Sequence, residues 1–292
     1  MNTGQRVPLG KPGRRVTLKF ALAGGTSPLA KDLADALVLN GHEVQVFSRT
    51  SKHPNALTYS DLKTCSFDAI VNLIGGHTAD IGALEVSQIL ALSEHLVDVA
   101  IKRSTPLIHL SSGVVLGPMS SPASIQTPRF AGDFTSKYQE LKIKMERLHE
   151  GKRHLLAVSD LRLFSFAGAN FLTRTDYFLS KLIKSAVDGN SFKIAGLDFL
   201  RDFSGPQELA SAIESAAISQ FSGVANLFSE KPASRSEILR FFADEFGVNF
   251  DYLASSPSQE FYCAARSGEL ANFAPRSSLE VITAESKRAL AL

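Results

Sequence analysis

The chain has 292 residues, of which 44% are apolar and 21% are charged, and its formal net charge is +2 at pH 7. This composition is that of a globular protein with a large core, and the small net charge excludes a general attraction to nucleic acid or to membrane surfaces. The two cysteines, Cys65 and Cys263, are too far apart in sequence to form a metal motif or a disulfide framework.

The N-terminal segment, residues 1–16, is basic, contains no acidic residue and lacks the apolar stretch of a signal peptide. We expect it to be a flexible tail. No apolar run in the chain is long enough to span a bilayer. We therefore expect a cytoplasmic protein without a membrane segment.

Buried strands and amphipathic helices alternate through the first half of the chain. The pattern predicts strands over 16–23, 44–47, 69–74, 107–110 and 155–164, and helices over 31–39, 84–101 and 133–149. Such alternation is typical of right-handed βαβ crossovers and of a doubly wound parallel sheet. Ligands of these sheets bind at the carboxyl ends of the strands.

The pattern loosens after about residue 166. It predicts helices over 176–187, 207–219, 234–246 and 279–290, with short strands over 192–194 and 224–227. We expect an α/β fold with a Rossmann-like dinucleotide-binding domain over 17–165. Residues 166–292 would form a small mixed substrate lobe with segments that return to the main sheet.

Small residues follow the first predicted strand and open the first helix. Gly24, Ser27 and Ala30 stand where a dinucleotide pyrophosphate needs a tight turn and close backbone approach. Because only the first of the three is glycine, the segment fits either a cofactor turn or an ordinary strand–helix turn.

The end of the second strand carries Arg49, a residue type that accommodates the 2′-phosphate of NADP, whereas an acidic residue there binds the ribose of NAD. A solvated surface arginine is the alternative. Asp61 and Leu62 follow a third possible strand and are candidates for the adenine contact.

Ser112 ends a buried strand, and Tyr138 and Lys142 follow on one face of a predicted helix. A neighbouring ammonium lowers the pKa of a phenol, so that Tyr138 is a candidate general acid or base. Tyr-x-x-x-Lys alone matches often by chance. The pair is more specific when it follows a serine at a strand end in a βαβ chain.

Together these residues resemble the extended short-chain dehydrogenases/reductases. Residues 109–117 are similar to a family segment ending in Ser-x-x-Val-Tyr-Gly, with Leu116 in place of tyrosine, and 162–168 are similar to Arg-x-x-Asn-x-x-Gly, with Ser165 in place of asparagine. Residues 201–210 and 274–280 match two further family segments, so the resemblance runs from about 17 to 290. Gly113 and Val114 replace the Asp-Glu pair of the family's dehydratases.

The resemblance implies roles for individual residues. The catalytic set would be Ser112, Tyr138 and Lys142. The cofactor-binding residues would be Gly24, Thr26, Ser27, Pro28, Leu29, Arg49, Asp61, Leu62, Leu73, Gly75, Ser111, Tyr138, Lys142 and Phe164. The substrate residues would be Ser112, Ser165 and Arg201. His77 is a further candidate for a substrate contact, because it follows two glycines at a strand end, near the switch-point crevice. For Arg201 a surface ion pair with Asp202 is the alternative to a diphosphate contact. The histidines show no metal-ligand spacing, and we expect no metal.

The expected activity is hydride transfer at one carbon of a nucleotide-activated sugar with NADP, or alternatively NAD. A 4-keto reductase is slightly favoured over a 4-epimerase, because Arg49 suggests NADP. The alternatives are a reductase of a non-nucleotide carbonyl compound and a protein that binds the cofactor but has lost turnover. Family resemblance also implies a homodimer formed through the helices predicted over 84–101 and 133–149.

Overall fold

The computed structural model describes residues 16–49, 56–75, 82–194, 198–252, 259–271 and 273–291. The predicted basic tail lies outside these residues except for Val16, and the predicted substrate residue His77 also lies outside them. Within the described ranges, no helix is long and apolar enough to cross a membrane.

The described elements are regular in the first half and shorter in the second. The strands are β1 (Lys19–Ala23), β2 (Glu43–Ser48), β3 (Ala56–Thr58), β4 (Ala69–Asn72), β5 (Leu107–Ser112), β6 (Val158–Leu163), β7 (Ser165–Phe166), β8 (Phe192–Ile194), β9 (Asp198–Arg201), β10 (Phe203–Ser204), β11 (Gly223–Asn226), β12 (Ala233–Ser234), β13 (Phe250–Tyr252) and β14 (Gln259–Tyr262). The α-helices are α1 (Pro28–Leu39), α2 (Ala83–Arg103), α3 (Lys137–Glu150), α4 (Ala169–Arg174), α5 (Phe178–Asp188), α6 (Pro206–Ser219), α7 (Arg235–Phe246) and α8 (Ser278–Leu290).

Seven parallel strands form the main sheet in the order β11-β6-β5-β4-β1-β2-β3. The chain builds outward from β1 to β3 on one side and from β4 to β6 on the other. The order therefore reverses between β1 and β4, where a crevice forms at the carboxyl ends of the strands. This topology confirms the predicted Rossmann-like, doubly wound sheet.

Helices cover both faces of the sheet. On one face α1 and α6 bury Leu33, Leu37 and Ile213 against Phe20 and Leu22 of β1. Burial of each such side chain contributes about 1.5–3 kcal/mol. On the other face α2 packs its apolar stripe against β4 and β5, and α3 lies beside it against β5 and β6. The catalytic helix predicted from the sequence thus rests directly on the strand that ends at Ser112.

The second half has its own apolar cluster, which includes Leu182, Phe199, Ile238 and Phe242. Strand β9 pairs with β14 in parallel and with β12 antiparallel, and β8 pairs with β13. Strand β11 joins the main sheet beside β6. The two halves of the chain therefore share one sheet.

Several element bounds differ from the prediction for local reasons. The helix predicted from residue 133 begins at Lys137, because the Ser136 hydroxyl accepts a hydrogen bond from the Gln139 amide and caps it. The strand predicted over 107–110 extends to Ser112, since it stays paired with β6 to that residue. The strand predicted over 155–164 is shorter, because residues 151–156 form turns and a bend.

Candidate active site

The chain turns sharply between β1 and α1, at the switch point of the sheet. The Gly24 and Gly25 amides donate to the Phe47 carbonyl over 3.0 and 3.2 Å, which holds the turn against β2. Gly24 has φ +82°, and a Cβ there would lie 3.1 Å from the backbone of Leu73 and Ile74. Glycine is required at this position, because a side chain would be strained and would meet the chain that follows β4.

The first turn of α1 begins at the same place. Ser27 caps the helix by accepting a hydrogen bond from the Ala30 amide over 3.2 Å, and Pro28 occupies the first helical turn. Thr26, before the cap, is exposed. A helix N-terminus offers backbone amides and the positive end of its dipole to an anion. The turn and the helix together fit the pyrophosphate of a dinucleotide.

Arg49 and Tyr59 lie beside the glycine turn. Arg49 follows β2 and is exposed. Burial raises the pKa of the Tyr59 phenol, while a hydrogen bond from the Gly24 backbone and the positive charge of Arg49 oppose that rise. These two side chains are therefore neighbours at the end of the site where the adenosine of a dinucleotide would lie.

Asp61 and Leu62, the two residues predicted to contact the adenine, make contacts within the protein. The Asp61 carboxylate accepts hydrogen bonds from the Thr58 amide over 2.8 Å and from the Thr58 hydroxyl over 2.7 Å. These bonds cap a short 3-10 helix at Tyr59–Lys63 and hold the pKa of Asp61 below its usual value. The side chain of Leu62 is fully buried in the core. Both residues shape the segment that carries Tyr59.

One cavity of about 400 Å³ opens at the carboxyl ends of the central strands and brings together most of the predicted site residues. Those in its lining are Ser27, Pro28, Leu29, Leu73, Ser111, Ser112, Tyr138, Lys142, Phe164, Ser165 and Arg201. Outside its lining are Gly24, Thr26, Arg49, Asp61, Leu62 and Gly75.

Ser112 lies between two phenols, one from each half of the chain. Its hydroxyl is 3.2 Å from the hydroxyl of Tyr262 in β14 and lies near the phenol of Tyr138 in α3. Burial raises the pKa of both phenols, and the polar contact with Ser112 opposes this rise. Both phenols are therefore protonated at neutral pH.

The expectation that Lys142 lowers the pKa of Tyr138 is wrong in this structure. Desolvation of the phenol is the largest influence and raises the pKa, and the nearby phenols of Tyr262 and Tyr177 raise it further. The Lys142 nitrogen lies 5.8 Å from the centre of the Tyr138 ring. This nitrogen is turned toward hydrogen-bond acceptors of the protein. Its charge therefore does not offset the effect of burial on the pKa of Tyr138.

Lys142 makes its polar contacts with β5 and the end of β4. Its ammonium donates to the Leu110 carbonyl over 2.8 Å, and it lies 3.3 Å from His109 Nε2 and 3.4 Å from the Ile74 carbonyl. A Cβ at Gly75 would lie 2.6 Å from this nitrogen, so glycine leaves room for it. Burial lowers the pKa of Lys142 to about 8, while nearby carboxylates oppose the change.

The inner face of α3 and the facing residues of β5 and β6 form a buried polar layer. Its members are at most 4% exposed and are polar or charged, whereas the contacts between a helix and a sheet are usually apolar. They are His109, Ser111, Lys142, Glu146, His149, Asp160 and Arg162.

Two carboxylates organise the polar layer. Glu146 accepts hydrogen bonds from the Ser111 hydroxyl over 2.6 Å and from Arg162 Nε and Nη2 over 2.9 and 2.7 Å. Asp160 Oδ1 lies 2.8 Å from His109 Nδ1 and 2.7 Å from His149 Nδ1. His109, His149 and Asp160 are residue types that can bind a metal ion, and their nitrogen and oxygen atoms lie close together. Their separations are those of N–H···O hydrogen bonds, which account for the cluster without a metal.

Arg201 lines the cavity from the second half of the chain. Its Nη2 atom is 3.4 Å from Glu260 Oε2, and its guanidinium stacks over the rings of Phe199 and Tyr262 at 4.5 and 5.6 Å. The alternative ion pair with Asp202 is not formed. The Asp202 carboxylate is buried and accepts hydrogen bonds from the backbone amides of the segments that follow β11 and β14.

The rest of the cavity is mainly apolar and aromatic. Beside the predicted residues, its lining consists of Leu110, Leu163, Phe166, Phe171, Leu172, Tyr177, Phe178, Leu179, Phe203 and Tyr262. Phe164 packs edge-on against Tyr262, with ring centres 5.4 Å apart. A Cβ at Gly113 would lie 2.5 Å from the Phe164 ring, so no side chain fits after Ser112 unless that ring moves.

The roles of Tyr59, Tyr262 and the cluster around Asp160 in the site are not predicted by the sequence patterns. His109 and Asp160 are 51 residues apart, and Ser112 and Tyr262 are 150 apart, so no local spacing signals either contact. The pairing of β5 with β6 brings His109 opposite Asp160. Buried charged residues in a predicted central strand were the signal that could have pointed to the cluster.

Comparison with solved structures shows the same fold. UDP-N-acetylglucosamine 4-epimerase from Bacillus cereus has a TM-score of 0.77 at 17% identity, over 94% of this chain and 99% of that chain. Helicobacter pylori ADP-L-glycero-D-manno-heptose-6-epimerase has a TM-score of 0.76 at 17% identity, over 94% and 97% of the two chains. Bordetella bronchiseptica WbmG, in complex with NAD and UDP, has a TM-score of 0.75 at 16% identity, over 94% and 96%.

Comparison at the level of sequence assigns the family. A search of curated proteins found no match. The model of the NAD dependent epimerase/dehydratase family matches residues 21–225, which contain the glycine turn, Ser112, Tyr138 and Lys142. The chain therefore belongs to the NAD dependent epimerase/dehydratase family and is an enzyme of the extended short-chain dehydrogenase/reductase type.

Proposed function

We propose that this enzyme moves a hydride between the nicotinamide of NADP, or alternatively NAD, and one carbon of a nucleotide-activated sugar. The observation that carries the proposal is the convergence of Ser112, Tyr138 and Lys142 at one cavity, beside a glycine turn that fits a pyrophosphate. The cofactor supplies the hydride chemistry when bound, and the protein supplies position and proton transfer.

Each residue of the cavity has a distinct role in this proposal. Ser112 orients the sugar oxygen at the reacting carbon, and Tyr138 exchanges a proton with that oxygen. Lys142 holds the nicotinamide ribose, and Phe164 packs beside the nicotinamide. Arg201 binds the substrate diphosphate, for which a planar guanidinium is well suited.

Reduction of a 4-keto sugar is slightly favoured over 4-epimerisation in this proposal, because Arg49 suggests NADP. In a reductase the Tyr138 phenol would donate its proton to the oxygen as the carbonyl becomes an alcohol, whereas in a 4-epimerase Tyr138 would first remove a proton from a hydroxyl.

Water elimination is not part of the proposal. The family's dehydratases carry an acidic pair directly after the catalytic serine or threonine, where this chain has Gly113 and Val114. The contact of Gly113 with the Phe164 ring leaves no room for such an acid.

The proposed preference for NADP rests on Arg49, whose positive charge lies at the end of β2 next to Tyr59. The similar MoeE5 and WbmG structures contain NAD. NAD therefore stays the alternative cofactor, and Arg49→Ala distinguishes the two. Loss of affinity for NADPH with unchanged affinity for NADH supports NADP, and equal changes support NAD.

The proposed substrate class rests on Arg201 and on the similar proteins, several of which were solved with UDP or a UDP-sugar. The aromatic lining of the cavity favours a second candidate, an uncharged carbonyl compound without a nucleotide. Arg201→Met separates the two, because a diphosphate substrate loses its charged partner while a neutral compound does not. His77 and Ser165 are further candidate substrate residues.

A protein that binds the cofactor but has lost turnover is the remaining alternative. The departures at Ser27 and Ala30 from the family's glycines motivate it. The three catalytic side chains stand together in the cavity, which favours a working enzyme.

We propose further that residues 17–165 bind the cofactor and residues 166–292 carry most of the substrate contacts. We also propose a homodimer formed through α2 and α3, which pack side by side on one face of the sheet. Sedimentation equilibrium tests the dimer: a mass of about one chain at all concentrations contradicts it. A cytoplasmic location stays an expectation.

The test of the activity is NADPH consumption by the purified protein with a panel of 4-keto nucleotide sugars, followed by absorbance. Nucleotide 4-hydroxy sugars incubated with NAD form the epimerase arm, followed by the ratio of the two sugar epimers. Consumption in the first arm supports the reductase, and interconversion in the second supports the epimerase. Turnover of carbonyl compounds without a nucleotide, and of none of these sugars, contradicts the proposed substrate class.

A further inference from the structure

His109 is the residue of the polar layer that touches the catalytic lysine. Its Nδ1 atom lies 2.8 Å from Asp160 Oδ1, and a carboxylate only accepts hydrogen bonds. Nδ1 therefore carries the proton, and neutral His109 presents an unprotonated Nε2 atom. That atom lies 3.3 Å from Lys142 Nζ, within reach to accept a hydrogen bond from the ammonium.

Asp160 is held in place by two donors besides His109. His149 Nδ1 lies 2.7 Å from the same carboxylate oxygen, and Arg153 Nη2 donates to the other oxygen over 2.6 Å. These bonds keep Asp160 ionised, which its lowered pKa reflects. Asp160 is thereby fixed as the group that orients His109.

His109 stays neutral over the working pH range. Burial and the positive charge of Lys142 lower the pKa of His109 to about 3, against the opposing hydrogen bond with Asp160. A neutral imidazole can accept from the ammonium of Lys142 without charge repulsion. The arrangement Lys142–His109–Asp160 has the logic of a catalytic triad, in which a carboxylate selects the tautomer of an imidazole.

We infer that His109 is a positioning residue of the reaction, which Asp160 orients so that it accepts a hydrogen bond from Lys142 and holds the ammonium in the cavity, where Lys142 would bind the nicotinamide ribose. The inference rests on the proposed function, because it assigns the role to a step in which Lys142 and Tyr138 act together. It adds His109 and Asp160 to the groups on which turnover depends.

The pH profile is the readout that separates positioning from simple packing. The titratable and charged groups around Lys142 and His109 are Tyr138, Glu146 and His149 from α3, Asp160 and Arg162 from β6, and Arg153. Loss of the His109 acceptor disfavours the charged form of Lys142 and lowers its pKa. Activity that needs the ammonium is present below this pKa, near pH 8 in the wild type, and is lost as the pH rises through it.

The experiment compares three variants of the full-length protein. His109→Met replaces the nitrogen acceptor with an apolar side chain of similar length. His109→Gln supplies an oxygen acceptor in its place. His42→Met is the matched control, because His42 is also a buried histidine but contacts Leu18 and Glu214 rather than Lys142 or Asp160. Thermal unfolding checks that each variant folds, and kcat, KM and the pH dependence of kcat/KM are then measured.

We expect His109→Met to lower kcat about tenfold or more, the scale of one lost hydrogen bond to a charged group, with little change in KM. The alkaline limb of its pH profile of kcat/KM should move to lower pH. His109→Gln should restore most of the rate, and His42→Met should leave the alkaline limb of the pH profile in place. Equal effects of His109→Met and His42→Met would mean that the loss follows from disturbing any buried histidine, and would overturn the inference.

A second measurement needs no activity. Nitrogen NMR of the wild type with labelled histidine reports the tautomer of His109, and the Cε signal of Lys142 reports its titration. A proton on Nε2 of His109, or an unchanged Lys142 titration in His109→Gln and His109→Met alike, overturns the inference. Absence of turnover on every nucleotide sugar in the wild type contradicts the proposed function. The NMR signals of His109 and Lys142 still show in that case whether the hydrogen bond between them forms.

Discussion

Ser112 is the residue at which the two halves of the chain meet. Its hydroxyl lies between Tyr138, which α3 supplies, and Tyr262, which β14 supplies. Two protonated phenols and a serine hydroxyl offer both donors and acceptors at one point. A carbonyl oxygen placed there can accept hydrogen bonds from more than one group, which is the requirement for reduction.

Tyr138→Phe removes the proposed proton donor and keeps the ring. We expect turnover to fall by about 10²–10⁴-fold, the usual contribution of a general acid, because no other described residue replaces its hydroxyl in the proposed mechanism. Binding of NADPH should change little. Steady-state kinetics and a fluorescence titration measure the two quantities, and wild-type turnover in the variant would remove Tyr138 from the mechanism.

Tyr262→Phe removes the second phenol while the ring keeps its contact with Phe164. We expect kcat/KM to fall about 5- to 50-fold, the scale of one or two lost hydrogen bonds, because Ser112 loses the partner that orients it. Tyr252→Phe, in which the exposed tyrosine of β13 changes, is the control. A variant as active as the control shows that Tyr262 only fills space.

At the scale of elements, the first half of the chain could be predicted because its strands are apolar runs between helices with clear ends. The inner face of α3 could not be predicted in this way. The helix is buried on several sides through Leu141, Ile143 and Met145, so its apolar residues do not mark one face. Charged Lys142 and Glu146 look like solvent-facing residues in the sequence, and only the facing charges of β5 and β6 make their burial favourable.

The second half is less predictable because its strands are short and pair across long stretches of chain. Strand β9 pairs with β14, which follows it by two helices, and no local pattern indicates this partner. Arg201 could be assigned from the family resemblance, whereas its contact with Tyr262 depends on that pairing. Residues of the site that depend on tertiary pairing were therefore the ones missed.

Helix α4 carries part of the cavity wall and depends on a carboxylate of α1. Asp32 is buried and accepts hydrogen bonds from the Asn170 amide over 3.0 Å, the Asn170 side chain over 2.9 Å and the Phe171 amide over 2.9 Å. It caps α4 from a distant part of the chain and satisfies donors that the helix leaves unpaired.

Asp32→Ala tests this cap. We expect the free energy of unfolding to fall by about 2 kcal/mol, because buried amides lose their acceptor. Asp35→Ala, at an exposed position of the same helix, is the control and should change stability by less than about 0.5 kcal/mol. Urea unfolding measures both, and equal stability of the two variants would mean that the cap contributes nothing.

At the scale of the whole molecule, the second half completes a site that the first half begins. The glycine turn, Ser112, Tyr138 and Lys142 come from the first half, and Arg201 and Tyr262 come from the second. Strand β11 ties the second half into the main sheet, and buried Asp202 accepts from the Ser229 and Ala264 amides and joins its segments. The cavity is thus built on one continuous scaffold.

We propose that this scaffold binds a nicotinamide dinucleotide for hydride transfer. The most direct test of this binding is a titration of the purified protein with NADPH and with NADH, followed by the fluorescence of the nicotinamide. We predict saturable binding with a preference for NADPH. A preference for NADH would contradict the role of Arg49 and favour an epimerase that retains NAD. Binding of neither cofactor at millimolar concentration would contradict the proposed enzyme function.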